Sequence, residues 1–341
     1  WESDMALNNV KLPDKTVVER ASRNVSRVMN ELNRILVGRP ELHKLVVTGI
    51  LSQGHILLEG LPGVGKTALI KTLGELFGLK FSRVQFTPDL MPGDILGSHI
   101  LQQSEDGSRQ MTFQPGPIFT NILLADEINR ASPKTQSALL EAMQERSVTL
   151  MGTTRKLPNP FFVLASQNPI ELEGTYALPE AQLDRFLFKL EVKGADVDTL
   201  KTIISSRRRG EPPKTEFCFS EAELKELFDI MEEIYLPNAV ADYIARLVCA
   251  TSPSNSSSLK EVKDFVQYGA SPRAAIAVSE ASRAIALIEG RPSVGFEDVK
   301  KVFVPALNHR ILLNYKARFE SLTSELILRK IMDNVKETTL D

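Results

Sequence analysis

The sequence predicts an α/β core built on a parallel sheet, followed by a domain made of helices. Three observations carry that reading. Short apolar runs recur as HILLE (55–59), NILLA (121–125) and FFVLA (161–165), and helical patterns stand between them. Runs of this length and texture are typical of strands buried on both faces of a parallel sheet. Beyond about Gly194 such runs stop, and apolar residues return every three or four positions instead. The length of 341 residues suits about two domains of roughly 150 residues each.

The elements follow in order. From Thr16 to about Leu36, the residues Val17, Val18, Ala21, Val25, Val28, Met29, Leu32 and Ile35 share one face of an amphipathic helix. A turn at Val37–Pro40 ends it, and Glu41–Ser52 forms a second helix. The strand at His55–Glu59 leads through a glycine-rich loop into a helix at Ala68–Phe77. Strands at Asn121–Ala125 and Phe161–Ala165 repeat the motif, and FLFKLEV (186–192) adds an alternating strand. Alternation of this kind builds a sheet covered by helices. In the second half, Ser220 followed three residues later by Glu223 makes a capping box. It opens a helix with Leu224, Leu227, Phe228, Met231 and Ile234 on one stripe. Helical periods recur at Ala239–Ala250, Pro272–Glu289 and Phe296–Asn308, with a serine-rich loop at Thr251–Ser258. The expected organisation is an N-terminal helical segment (1–36), a core (37–194), a helical domain (195–314) and a helical tail (315–341).

Composition narrows the classes. The 41 basic and 43 acidic residues leave a net charge of −2, which argues against a bulk-basic nucleic-acid or membrane-surface binder. The Arg207–Arg209 triplet reads as a solvated face. No apolar run approaches the roughly 20 residues of a membrane span, and WESDMALNN lacks the basic and hydrophobic regions of a signal peptide. A soluble, cytoplasmic protein is expected. Cys218 and Cys249 lie in apolar-patterned segments and read as buried thiols in a reducing compartment. His43, His55, His99 and His309 show no metal-ligand spacing.

The chemistry concentrates in three segments. Gly60–Thr67 reads GLPGVGKT, the phosphate-binding pattern G-x-x-x-x-G-K-[ST], set between a strand and a helix. Gly60, Gly63 and Gly65 let backbone N–H groups crowd around phosphate at a helix N-terminus, with Pro62, Val64 and Ala68 in the same cradle. Lys66 can reach the β and γ phosphates, and the Thr67 hydroxyl can ligate Mg²⁺. ILLADE (122–127) ends an apolar strand with two carboxylates, at the strand end where α/β ligands bind. Asp126 would orient a hydrated Mg²⁺, and Glu127 would act as general base on water. Asn168, in SQNP (166–169), offers either an uncharged hydrogen bond to the γ-phosphate or a turn before Pro169.

With these residues in place, the chain resembles the MoxR family of AAA+ ATPases. The resemblance runs from Val37 to Arg310 through GLPGVGKT, QFTPDLMPGDILG (85–97), LLADEINRASPKTQSALLEAMQE (123–145), SQNP, LPEAQLDRF (178–186) and GASPRAA (269–275). Met91-Pro92-Gly93 departs from the leucine- and serine-containing version of that family. The resemblance implies an AAA+ αβα core and a helical lid. It further implies a ring, hexameric by family habit, with ATP and Mg²⁺ between neighbouring subunits and Val37 and Gly38 beside the nucleotide. Two hairpin insertions are implied as well. The sequence supports both: His99–Gln103 and Arg109–Gln114 flank the turn Glu105-Asp106-Gly107, and Ser147–Pro158 turns at Gly152.

The resemblance also gives roles to residues with bland alternatives. Asn168 becomes the first sensor. Arg185 ends the short helix Pro179–Arg185, where the helix dipole alone favours a cation; the family places its arginine finger there, reaching a neighbour's γ-phosphate. Arg273 follows Ser271 and Pro272, a cap and opener, and so sits in a helix's first turn, where a cation is disfavoured. Its family counterpart is the second sensor, and the alternative is a surface arginine paired with Glu280. Arg130 is a third candidate for the shared site. The expected function is ATP-driven, chaperone-like remodelling or maturation of a protein client, including metal-cofactor insertion, alongside a partner bearing a von Willebrand factor A domain. The rivals are a nucleic-acid translocase of the same clade, a magnesium-chelatase-like motor subunit and a nucleotide-gated binding module.

Overall fold

The computed structural model describes residues 12–60, 63, 65–103, 109–169, 174–206 and 213–338. Its contacts divide the chain into two compact units, 29–219 and 1–28 with 220–341. Residues 195–219, set with the helical domain by sequence texture, belong to the first of these.

Helix α1 (Lys15–Ile35) leads to α2 (Pro40–Leu51), β1 (Ile56–Glu59), α3 (Lys66–Phe77), β2 (Phe81–Gln85) and α4 (Pro92–Leu96). The hairpin of β3 (Gly97–Gln103) and β4 (Arg109–Pro115) precedes β5 (Ile122–Asp126) and α5 (Pro133–Glu145). A second hairpin, β6 (Ser147–Leu150) and β7 (Thr153–Lys156), precedes β8 (Phe162–Gln167), α6 (Glu180–Leu183), β9 (Phe188–Glu191) and α7 (Val197–Ser206). Five of these strands form a parallel sheet in the order β2-β5-β8-β1-β9. The central strands are the apolar runs of the sequence, and every residue of β5 is buried. Leu57, Leu123, Ala125, Val163 and Ala165 join Phe86, Leu139, Leu140, Met143 and Phe186 in one core cluster. Each large side chain so buried contributes about 1.5–3 kcal/mol.

Strand β2 is absent from the sequence reading. It lies at a sheet edge, and its residues FSRVQ are mostly half-buried or exposed, so no apolar run marks it. Both hairpins form. β3 and β4 pair in register from Gly97↔Pro115 to Gln103↔Arg109. Met151 and Gly152 have φ of 49° and 75°, the two positive values that a tight hairpin turn needs. The turn at 105–107 lies outside the described residues, as do Arg207–Arg209.

The second unit packs α11 (Pro272–Ile288) against α8 (Glu221–Glu233), α9 (Asn238–Cys249) and α12 (Phe296–Leu307), and α12 against α14 (Ser324–Asn334). Between them lie α10 (Lys260–Phe265) and α13 (Tyr315–Phe319), with a short antiparallel pair, β10 (Val266–Tyr268) and β11 (Leu312–Leu313). The capping box closes as expected: Ser220 N donates to Glu223 Oε2 at 2.9 Å, and Glu223 N to Ser220 Oγ at 3.3 Å. The two cysteines depart from expectation, because both are exposed. Their neighbours Phe219 and Val248 take the inward positions instead. Among the described residues, no helix is long and apolar enough to cross a membrane.

Candidate nucleotide-binding site

The loop after β1 is held at its root by the sheet. Gly60 N donates to Gln167 O at 3.2 Å, and a Cβ on Gly60 would meet Val192 O at 2.5 Å, so only glycine fits between the ends of β8 and β9. Gly63 and Gly65 have φ of +79° and +88° with nothing within 4 Å of an added Cβ. Their glycine requirement is therefore conformational, and the space in front of them is open. Pro62 and Val64 lie outside the described residues. Lys66 begins α3, is only 8% exposed, and donates from Nζ to Gly60 O at 2.8 Å. Burial pulls its pKa below the ordinary lysine value, while Asp126 and Glu127 pull the other way.

Two cavities meet on this loop, and Gly63, Gly65 and Lys66 line both. The larger, about 500 Å³, is walled by Val37, His43, Ala68, Leu200 and Ile203 among others, an apolar slot of a size suited to a purine base. Gly38, at φ +94°, touches α7 so closely that a Cβ would strike the Thr199 side chain. The Val37–Gly38 turn and α7 thus form one wall. His43 Nδ1 lies 2.7 Å from Asn33 Oδ1, and burial lowers its pKa to about 4, so the ring is neutral.

The smaller cavity, about 330 Å³, brings Lys66 and Thr67 together with Asp126, Glu127, Arg83 and Gln85. Asp126 ends β5 and is 8% exposed. Its Oδ1 accepts from Ser166 Oγ at 2.5 Å, and its Oδ2 accepts from Arg83 Nη2 at 2.7 Å and Nε at 3.2 Å. Glu127 has φ 57° and ψ 49°, a left-handed conformation that costs a non-glycine residue about 1–3 kcal/mol and gathers at functional sites. Its N–H is tied to Ser166 Oγ at 2.9 Å. Its Oε2 accepts from Gln85 Nε2 at 2.7 Å and Arg130 Nη1 at 3.1 Å. The Thr67 hydroxyl and the Asp126 carboxylate are hard oxygen donors in one cavity beside a phosphate loop, a set that fits Mg²⁺.

Sequence reasoning missed Arg83, Gln85 and Ser166. Arg83 and Gln85 are two apart on β2, so they share its face toward the carboxylates, a signal available only once β2 is recognised. Ser166 stands within SQNP, where the Asn168 amide is the more obvious phosphate contact.

The remaining candidates are less gathered. Asn168 is 5% exposed and follows Gln167, whose carbonyl receives the Gly60 N–H, so it stands beside the loop. Arg185 lines neither cavity. Helix α6 ends at Leu183, short of the expected Arg185, which donates from Nη1 to Leu140 O at 2.7 Å. Arg273 is exposed at the start of α11 in the other compact unit, and Ser271 makes no side-chain cap bond there. Glu280, the partner considered for it, lies 3.5 Å from Arg283 Nε.

Comparison with known proteins shows the family. Residues 55–188 match the ATPase family associated with various cellular activities (AAA), and residues 259–331 match the AAA lid domain. The chain is 43% identical over 311 residues to Chaperone MoxR1 of Mycobacterium tuberculosis, covering 91% of this chain and 81% of that protein. It is 30% identical over 331 residues to Protein MoxR of Methylorubrum extorquens, covering 91% and 94%. A crystal structure of a candidate ATPase from Cytophaga hutchinsonii superposes with a TM-score of 0.85 at 38% identity, covering 94% of this chain and 97% of that one. Phosphate loop, paired carboxylates, parallel sheet and helical lid therefore have one source: the chain belongs to the MoxR family of AAA+ ATPases.

Proposed function

We propose that this protein hydrolyses ATP and uses the cycle to remodel or mature protein clients, as a chaperone. One observation carries the reading: Lys66, Thr67, Asp126 and Glu127 line a single cavity that meets an apolar slot across the phosphate loop. The base would lie against Val37, Gly38 and Ala68, with the phosphates on Gly60–Thr67. Thr67 and Asp126 would hold Mg²⁺, which when bound neutralises charge on the β and γ oxygens. Glu127 would take the proton of the attacking water as the bond from the γ-phosphorus to the bridging oxygen breaks, leaving ADP and phosphate. Asn168 would hydrogen-bond the γ-phosphate or that water, and Gln85 and Arg130 would hold Glu127 in place.

In this reading the catalytic core runs from Val37 through α7, and the helical unit from Ser220 onward is the lid, whose Arg273 couples lid position to nucleotide. Subunits form a ring, a hexamer by family resemblance, and Arg185 completes a neighbour's site. The relative named as a chaperone supports a protein client, and so does the net charge of −2, which offers no bulk attraction to nucleic acid. Metal-cofactor insertion, a von Willebrand factor A partner and a cytoplasmic setting complete the proposal.

Nucleotide binding and phosphate release test it. Lys66→Ala should lose ATP binding, whereas Glu127→Gln should keep it and slow hydrolysis by roughly a hundred-fold or more. Equal ATP affinity in wild type and Lys66→Ala would remove the site. ATPase raised several-fold by DNA or RNA at physiological salt would transfer the reading to a translocase. Glu127→Gln trapped with ATP is also the form with which to capture the client.

A further inference from the structure

Arg83 has no part in the reading above, yet it makes the most direct charged contact to the proposed metal ligand. Its guanidinium places both Nη2 and Nε on Asp126 Oδ2, at 2.7 and 3.2 Å. Nη2 also donates to Gln85 Oε1 at 2.8 Å, which anchors the fork at a second point. The other oxygen of Asp126 is engaged by Ser166 Oγ at 2.5 Å. The carboxylate is therefore held on both sides, by a neutral hydroxyl and by a full positive charge. The arginine side chain is 46% exposed and that of Asp126 12%, so the guanidinium can leave toward solvent while the carboxylate stays fixed.

A divalent cation ligated or hydrated through Asp126 needs the negative charge that Arg83 neutralises. Two cationic groups cannot share one carboxylate oxygen at close range without mutual repulsion. We propose that Arg83 is a latch that competes with the divalent cation for Asp126, so that metal binding and release of the guanidinium are one exchange. The strand explains why an arginine can do this. Arg83 and Gln85 stand on the same face of β2, and β2 pairs with β5 so that Gln85 lies opposite Asp126. The register thus sets Arg83 opposite Leu124, two residues back from Asp126 on the same face and within reach of its carboxylate. The latch gives the site a threshold: metal is retained only where phosphate oxygens supply the remaining ligands. The inference rests on the cavity being a Mg²⁺–nucleotide site.

The test is Arg83→Met, which keeps the aliphatic stem and removes the charge. Binding of a non-hydrolysable ATP analogue is measured twice, in EDTA and saturated with Mn²⁺, alongside the electron paramagnetic resonance of the bound Mn²⁺. The latch requires that Arg83→Met bind the Mn²⁺-loaded analogue roughly five-fold more tightly, with affinity in EDTA unchanged. Lys189→Met, which removes an equal charge bonded instead to Glu59 on β1, should leave both affinities near wild type. Unchanged or weaker Mn²⁺-loaded binding in Arg83→Met overturns the proposal. So does an equal gain in Lys189→Met, which would reduce the effect to a general field. A loss confined to EDTA would make Arg83 a phosphate contact and also overturn it. If wild type binds the analogue in neither condition, the nucleotide reading itself falls. If it binds in both and Arg83→Met changes neither, only the latch falls.

Discussion

His55 stands just before β1 with both ring nitrogens engaged. Val163 N donates to Nδ1 at 3.0 Å, and Nε2 lies 3.2 Å from Met143 O, which fixes a neutral ring with its proton on Nε2. A second proton would have to displace the Val163 N–H, and burial lowers the His55 pKa from 6.5 to about 4. The unfolded chain therefore takes up a proton near pH 6.5 that the folded chain refuses until about pH 4. Stability is complete above that window and falls as pH drops through it, by about 3 kcal/mol from His55 alone. His43 is shifted the same way and adds to the slope. Urea unfolding at pH 7.5 and 5 should show wild type losing more stability than His55→Gln between the two. Identical losses would mean the ring is not the titrating group. Single residues were legible where a motif demanded them: Lys66, Thr67, Asp126 and Glu127 follow from the loop and strand patterns, and they line one cavity. The buried role of His55 was not legible, since a histidine opening an apolar strand looks like any strand boundary.

Elements announced themselves in proportion to how apolar they were. β5 and β8, buried nearly throughout, could be read from NILLA and FFVLA alone, whereas β2 could not. Its residues are defined by pairing to β5, a contact across about forty residues of chain that local pattern does not carry. Because Arg83 and Gln85 ride on β2, losing the strand meant losing half of the carboxylates' surroundings. The hairpins were legible by alternation, but the reason for their geometry was not. At the base of β3–β4, Gly97 has φ +97°, and its missing Cβ makes room for the backbone at Gln114 and Gly116. Gly97→Ala would have to move main chain rather than a flexible side chain. It should destabilise by about 2 kcal/mol or more, read as a lower urea midpoint, with early loss of amide protection along 97–115. A variant as stable as wild type would show that the hairpin's base can shift freely. Gly152→Ala, at a turn with φ 75° and no neighbour within 4 Å, should cost less, because only the conformational term is present.

At the scale of the whole molecule, the question is where Arg185 acts. Within its own chain it is half-buried, donates to Leu140 O on α5, and lines neither cavity of the phosphate loop. The same chain already brings Lys66 and Arg83 to the smaller cavity. Family resemblance places Arg185 against a neighbour's γ-phosphate, where a guanidinium stabilises charge that develops only in transfer. If so, Arg185→Ala should lower ATPase by roughly a thousand-fold while leaving ATP affinity almost intact, the reverse of Lys66→Ala. Loss of the Leu140 bond could instead lower activity by disturbing α5, and mixing separates the two causes. In an equimolar mixture of Arg185→Ala and Lys66→Ala subunits, about one interface in four joins an intact loop to an intact arginine. ATPase should then recover toward about a quarter of wild type from two parents that are each nearly inactive. A disturbed α5 stays disturbed in every Arg185→Ala subunit whatever its neighbour, so it gives no recovery. Absence of recovery in assemblies shown by native mass spectrometry to contain both variants would place the arginine's effect within its own subunit, and the active site would then be complete in one chain.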